Sequence, residues 1–341
     1  MKLYFFPVLF YLITLATITF CNPVTEEIIE ENDERVHAKV NIYDESLVPK
    51  SKRADFFTYA GSIGHFFSAK DVKRNVFYDG IKNLDIYYGK KGGRKPVVIF
   101  IYGGAWFWGE KSWYSKIGTF LSQEKDYVAV IPNYVQFPYG TLDEMVYDIT
   151  NAINWVYKNI NAYNGDVFNM YLVGHSSGAH LSLLTLIKSS LGLKGYGSYS
   201  VSQPVPYFQK VVLLNGPYDF DVFSKVSKET GVTTENSSFE AFAKGVLNSE
   251  LSCPTDILKG YPDQSINYLS VGRIIVVHSE LDTTVPYSSA TGLMDQLRRV
   301  TSIPSNLYIV NGLPHCGITE GVMNDNEYAK YVLGDLLANA Q

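Results

Sequence analysis

An α/β architecture with a mostly parallel central sheet is what this sequence predicts, and three observations predict it. Short runs rich in β-branched residues recur from about residue 70 onward. Stretches with helical periodicity lie between most of them. The runs are almost continuously apolar rather than alternating, as strands covered on both faces require. Strand, helix and strand repeated in this way imply a sheet with right-handed crossovers.

In chain order the predicted strands are KPVVIFIY (95–102), DYVAVIPN (126–133), FNMYLVG (168–174), KVVLLN (210–215), GRIIVVH (272–278) and SNLYIVN (305–311). The helix between the second and third opens with Thr141 and Glu144 at capping-box spacing. Met145, Ile149, Ala152, Ile153 and Val156 then recur at helical spacing. Two further helices are predicted over 286–299 and 325–339. Residues 216–271, rich in Ser, Thr and aromatics, interrupt this pattern as a long insertion. They are expected to form small helices over the sheet edge near the site, since loops of that length are usually functional.

A chain of 341 residues with 46% hydrophobic content supports one sizeable core. Lys and Arg number 29 against 34 Asp and Glu, a formal charge of −5, and no stretch is strongly basic, which argues against nucleic acid as a partner. Twenty-six tyrosines fit a wide apolar pocket or, equally, a tyrosine-rich surface. After Lys2 no charge occurs until Glu26. Residues 1–21 are expected to be a secretory signal peptide, cleaved before Asn22, or an uncleaved signal anchor. Secretory-pathway localisation follows: secreted, or at an endoplasmic reticulum or Golgi membrane with membrane association through the N-terminus. Residues 22–69, containing TEEIIEENDE and PKSKR, are expected to be an acidic polar linker, and 70–341 the α/β domain. Cys253 and Cys316 either pair, given an oxidising compartment, or stay free. Asn236 opens an N-glycosylation triplet. No H-E-x-x-H, clustered Cys/His spacing or dinucleotide fingerprint is present, so neither metal nor cofactor is expected.

The stretch YLVGHSSGAHLSL (171–183) carries the chemistry. A strand runs into Gly174-His175-Ser176-Ser177-Gly178 and a helix follows, the strand–turn–helix setting of a nucleophile elbow in α/β-hydrolases. Ser176 must take a strained backbone conformation, so its neighbours need to be small. It then stands at a helix N-terminus, which favours developing negative charge. Taken alone, a G-x-S-x-G is a weak signal that also fits a tight turn with a solvent-facing serine.

A serine nucleophile needs a base, and the base needs an orienting acid. Of the six histidines, His37 and His65 precede the core, His175 and His180 lie too close to the elbow, and His278 ends a strand. His315, in the Gly- and Pro-containing loop after the last strand, is left as base. Asp282, beyond the preceding strand in VHSELDTTVP, is the expected acid, with Asp219 and Asp221 as lower-ranked alternatives. The oxyanion hole is expected in IYGGAWFWG (101–109), with N–H groups of Gly104 and Ala105, joined by Ser177, as donors and Gly103 allowing close approach. Trp106, Phe107, Trp108 and His175 are pocket candidates, and plain core aromatics are the competing reading for the first three.

With these motifs in place, the chain from about residue 80 resembles the α/β-hydrolase carboxylesterases, and among them the isoprenylcysteine methylesterases, through IYGGAW, NYVQFPYGTLDEMVYD and YLVGHSSGAHL. The resemblance implies Ser176, Asp282 and His315 as nucleophile, acid and base, substrate contacts at Gly103–Ala105 and around Ser176, a small apolar ester as substrate, and cleavage of a methyl ester from prenylated cysteine. Kynurenine formamidases are the near alternative. They carry histidine before the Gly-Gly, where this chain has Tyr102, the position that usually braces the oxyanion loop. A third reading, a silent hydrolase fold used for binding, fits poorly with a chain that keeps all three triad residue types.

Overall fold

The computed structural model describes residues 36–40, 56–89, 92–194, 204–220, 222 and 251–338. The N-terminal signal (1–21), the sequon at Asn236, Asp221 and the middle of the 216–271 insertion lie outside the described residues.

The elements follow in order as β1 (Val36–Val40), α1 (Phe56–Ser68), β2 (Val72–Asp79), β3 (Lys82–Tyr87), β4 (Lys95–Ile101), α2 (Ser115–Thr119), β5 (Val128–Pro132), α3 (Leu142–Asn159), β6 (Gly165–His175), α4 (Ser177–Leu191), β7 (Lys210–Leu214), α5 (Pro254–Lys259), β8 (Ile274–Leu281), α6 (Tyr287–Val300), β9 (Ser305–Pro314), α7 (Gly317–Met323) and α8 (Glu327–Ala338). They build one sheet in the order β1-β9-β8-β7-β6-β4-β5-β3-β2. Strands β4 to β9 run parallel, and β1 joins β9 in parallel. The β2–β3 hairpin adds an antiparallel edge.

Every side chain of β5 and β7 is buried, as are the first six of β8. This accounts for the unbroken apolar runs in the sequence: a parallel strand covered on both faces has no solvent side on which to alternate. Helix α3 starts where the capping box places it. Thr141 Oγ1 accepts from Glu144 N–H at 3.3 Å, and Glu144 Oε2 accepts from Thr141 N–H at 2.8 Å. A buried ion pair of 2.6 Å between Asp143 and Lys188 joins α3 to α4.

Two parts of the fold depart from the sequence reading. The linker expected over 22–69 contains ordered elements: Val36–Val40 forms one edge strand of the sheet, and α1 packs against residues 111–119, with Ser62 Oγ 3.3 Å from Ser115 Oγ. The hairpin β2–β3 was not anticipated. Strand β2 alternates half-buried and exposed residues, as an edge strand does, and so lacks the apolar run used to find the others. Gly80, the first residue of the two-residue Gly80-Ile81 turn and held at φ 52°, is the local signal that marks it. No helix among the described residues is long and apolar enough to cross a membrane.

Candidate active site

The parallel strands end together on one side of the sheet, and the ends of β4, β6, β7, β8 and β9 meet at the site. Ser176 lies between β6 and α4 at φ 53° and ψ −127°, a conformation that a non-glycine residue holds only under constraint. The constraint is visible. Its N–H donates to Leu214 O at the end of β7 at 2.8 Å, and its carbonyl accepts from Ala179 N–H at 2.9 Å as α4 begins. The flanking glycines are sterically required. A Cβ on Gly174 would lie 2.5 Å from Ala179 Cα, and one on Gly178 would lie 2.2 Å from Ile101 O.

His315 and Asp282, the expected base and acid, arrive from β9 and β8. His315 Nε2 is 2.9 Å from Ser176 Oγ, and His315 Nδ1 is 2.7 Å from Asp282 Oδ2. Asp282 Oδ1 accepts from the N–H groups of Thr284 and Val285, both at 2.9 Å. Burial pushes the Asp282 carboxyl up. The charge and hydrogen bond of His315, with His278 and the Val285 N–H, outweigh it and hold the carboxyl below the usual range. An ionised Asp282 accepts the Nδ1–H, which fixes the tautomer and leaves Nε2 as acceptor for the serine hydroxyl. Asp282 is the carboxylate that faces His315 Nδ1, whereas the Asp219 N–H bonds Ser289 Oγ at 3.2 Å and its carboxylate abuts Gly292 in α6, where a Cβ would lie 3.1 Å from Oδ2.

The oxyanion loop sits against the nucleophile. A Cβ on Gly103 would stand 2.8 Å from Ser176 Cβ. Gly104, Ala105 and Trp106 follow with φ of 138°, 48° and 66°. This turn spends the N–H groups of Phe107 and Trp108 on Gly104 O, both at 3.1 Å. The N–H groups of Gly104, Ala105 and Ser177, the predicted oxyanion donors, have no acceptor among the described residues. Tyr102, in the position that histidine usually fills, braces the loop by its own means. It stacks on Tyr134 (4.9 Å) and Tyr114 (5.4 Å), and its hydroxyl donates to Asn133 Oδ1 at 3.0 Å. Asn133 Oδ1 also accepts from Lys111 N–H at 2.8 Å, and Gln136 donates to Gly109 O at 3.0 Å.

Two pocket candidates take other roles. Trp106 is buried, and its indole N–H donates to His180 Nδ1 at 3.1 Å, so it anchors the loop to α4. His180 Nε2–H donates in turn to Ser252 O at 2.8 Å, and burial holds this ring neutral, with its pKa at about 4. His175 is buried beneath the site, and its Nε2–H donates to His315 O at 3.1 Å. Trp108 remains half-buried beside Trp113 (5.0 Å) and Tyr59 (6.1 Å) at the edge of the loop. His278 packs its buried ring on Tyr287 at 5.3 Å.

Cys253 and Cys316 are both buried thiols that are not joined in a disulfide, so no bridge between them holds the His315 loop. His175, His315 and Cys316 present three ligand-type atoms within 4.8 Å, but both His315 ring nitrogens are engaged by Asp282 and Ser176. A cleft of about 420 Å³, lined by Tyr157, Phe168, Pro206 and Tyr207, includes none of the triad or oxyanion-loop residues. Sequence reasoning missed Asn215, Ser279 and Asn133, polar residues at or just beyond strand ends that tie these loops together.

Known proteins share this plan. A model of the BD-FAE family matches residues 84–297. The isoprenylcysteine alpha-carbonyl methylesterase of Arabidopsis thaliana is 32% identical over 73% of this chain and 58% of its own length, so the chain spans less than two thirds of that relative. A kynurenine formamidase of Drosophila melanogaster is a more distant match, 22% identical over 74% of this chain and 78% of its own. Among solved structures, an inhibited esterase B from Lactobacillus rhamnosis superposes with a TM-score of 0.63 at 18% identity, covering 83% of this chain and 94% of that one. That likeness establishes the α/β-hydrolase fold.

Proposed function

The chain belongs to the BD-FAE family, and on that premise we propose that it is a serine carboxylic-ester hydrolase working through an acyl-enzyme. The observation that carries the reading is the unbroken chain Asp282–His315–Ser176, with contacts of 2.7 and 2.9 Å and the serine held at φ 53°. Ser176 Oγ attacks the ester carbonyl as His315 Nε2 takes its proton. The oxygen of the tetrahedral intermediate is held by N–H groups of Gly104, Ala105 and Ser177. His315 then returns the proton to the departing alkoxide, leaving the acyl group on Ser176. Water, deprotonated by the same imidazole, releases the acid and regenerates the serine.

The proposed substrate is the methyl ester of a prenylated cysteine. Likeness to the plant methylesterase supports it, as do the half-buried rings of Tyr59, Trp108 and Trp113 beside the oxyanion loop, an apolar setting suited to an isoprenoid chain. The uncharged N-terminal run supports passage into the secretory pathway, with a cleaved signal or a retained anchor tying the enzyme to a membrane, and Asn236 is the proposed glycosylation position.

The test is expression of the full chain in a secreting host as wild type and Ser176→Ala. Hydrolysis of a prenylcysteine methyl ester, a short p-nitrophenyl ester and N-formylkynurenine is then compared. Wild type should cleave the prenyl ester fastest, and Ser176→Ala should lose on the order of 10⁶ in kcat. Preference for the formamide would promote the formamidase reading, and equal rates for the two proteins on every substrate would sink the catalytic one. The N-terminal residue and glycan content of the same product decide signal cleavage and the use of Asn236.

A further inference from the structure

The histidine of a triad sits on a loop, yet its ring must hold position within a few tenths of an ångström. In this chain His315 falls between the end of β9 at Pro314 and the start of α7 at Gly317, so neither the sheet ladder nor the helix accounts for its own carbonyl. That carbonyl is nonetheless doubly bonded. Asn215 Nδ2 donates to it at 2.6 Å and His175 Nε2 at 3.1 Å.

Asn215 does more than meet one carbonyl. It is the first residue after β7, at φ 51°, a left-handed conformation that asparagine and glycine tolerate best. Its N–H donates to Val277 O at 2.9 Å. Its amide grips Ser279 twice: Oδ1 accepts from Ser279 N–H at 2.8 Å, and Nδ2 donates to Ser279 Oγ at 2.9 Å. Ser279 O accepts from Asp282 N–H at 2.9 Å, so this grip reaches the loop that carries the acid. The neighbour Leu214 holds the N–H of Ser176. The end of β7 therefore touches all three triad loops, although β7 itself carries no member of the triad. Asn215 is almost fully buried, and its oxygen and both amide contacts are accounted for within this hub.

We propose that Asn215 is a positioning residue for His315, the amide at which the base loop, the acid loop and the nucleophile's strand are tied together. It acts through the backbone of His315 rather than on substrate. His175 is its partner from β6, donating to the same oxygen from the other side. Loosening a hydrogen-bonded base by a fraction of an ångström costs rate without weakening binding, because the geometry matters only as the proton moves.

The inference rests on the ester-hydrolase reading, and the experiment separates the two. Asn215→Gly keeps the left-handed backbone and deletes the amide. Asn215→Asp keeps the shape and replaces the donor with a carboxylate. Both are made in the full chain and compared with wild type for kcat, KM, thermal midpoint, the pH profile of kcat/KM and the rate of Ser176 labelling by a fluorophosphonate. Each variant should lose about 10- to 100-fold in kcat and in labelling rate, with KM within about two-fold of wild type. Asn215→Asp should also move the acidic limb of the profile to higher pH, since a carboxylate there favours the charged His315. The other titratable groups around that ring are Asp282 and His278 from β8 and its loop, His175 from β6, and the adjacent Cys316. Variants that keep kcat and labelling within about two-fold of wild type would overturn the proposal. So would a loss confined to the amount of folded protein, with kcat per labelled site and the pH profile unchanged. If wild type labels at Ser176 but hydrolyses no ester, the ester reading fails, and the labelling rates of the two variants alone decide the positioning role.

Discussion

At the scale of single residues, the site is a competition between burial and pairing. Asp282 is fully buried, which by itself would neutralise it, and it stays ionised because His315 and two backbone N–H groups face its oxygens. Asn at this position keeps the shape but presents an amide to Nδ1, which favours the wrong tautomer. Asp282→Asn should therefore lower kcat by about 10⁴. Asp219→Asn, with its backbone on Ser289 and its carboxylate against α6, should stay close to wild type in the same ester assay. The reverse ranking would show that the acid is misassigned. The meeting of Ser176, His315 and Asp282 beside the Gly103–Ala105 turn was legible in the sequence because each part sits in a loop after a strand, in a fixed chain order, and glycine marks the close approaches. The supporting contacts were not. A bond from Asn215 to a carbonyl one hundred residues away, or from Trp106 to His180, leaves no periodicity and no motif. Trp106 and His175 read as pocket residues for that reason: sequence supplies residue type and neighbourhood, and only the fold decides which way a ring points.

At the scale of elements, the strand runs and the capping box were legible because each is local, whereas the β2–β3 hairpin, half exposed along its edge, has the weak alternation that sequence reading passes over. The elbow is a tightly packed element junction. Strand β4 and helix α4 approach so closely that a Cβ on Gly178 would meet the carbonyl oxygens of Ile101 and Tyr102 at 2.2 and 2.4 Å. Both atoms are backbone, so neither can rotate away. Gly178→Ala must push α4 from β4, which displaces Ser177 and the oxyanion loop together. The expected result is a loss of at least 1–3 kcal/mol of stability, with fluorophosphonate labelling of Ser176 slowed in whatever protein folds. Gly64→Ala in α1 is the control, since a Cβ there meets nothing within 4 Å. It should be neutral or raise stability by up to about 1 kcal/mol. If Gly178→Ala matches Gly64→Ala in both thermal midpoint and labelling rate, the close approach of β4 and α4 is not what shapes the elbow.

At the scale of the whole molecule, packing the triad between strand ends buries three histidines besides the base. Desolvation holds His175 at about 3 and His180 and His278 at about 4, so all three are neutral in the folded protein at any pH near neutrality. In the unfolded chain each titrates near 6.5. Between those values the unfolded state binds more protons than the folded one, so stability rises with pH across that window, is complete above it, and is lost as pH falls through it. Asp282, with its lowered carboxyl, adds to the loss at the acid end. Asp85 and Asp148 pull the other way, because burial raises both, but each keeps a lysine partner, Lys111 and Lys82, that limits the effect. Each buried histidine contributes on the order of 3 kcal/mol across its window, and all three act in the same direction. The thermal midpoint should therefore fall steadily from pH 7 to pH 4. His180 isolates the effect, since it lies outside the triad and its two bonds can be copied by an amide. His180→Gln can accept from the Trp106 indole and donate to Ser252 O while having nothing to titrate. Its midpoint should sit near that of wild type at pH 7 or modestly below it, and should fall less steeply toward pH 4. Equal slopes for the two proteins would mean that the acid sensitivity arises elsewhere than in the histidines that the site's burial has trapped.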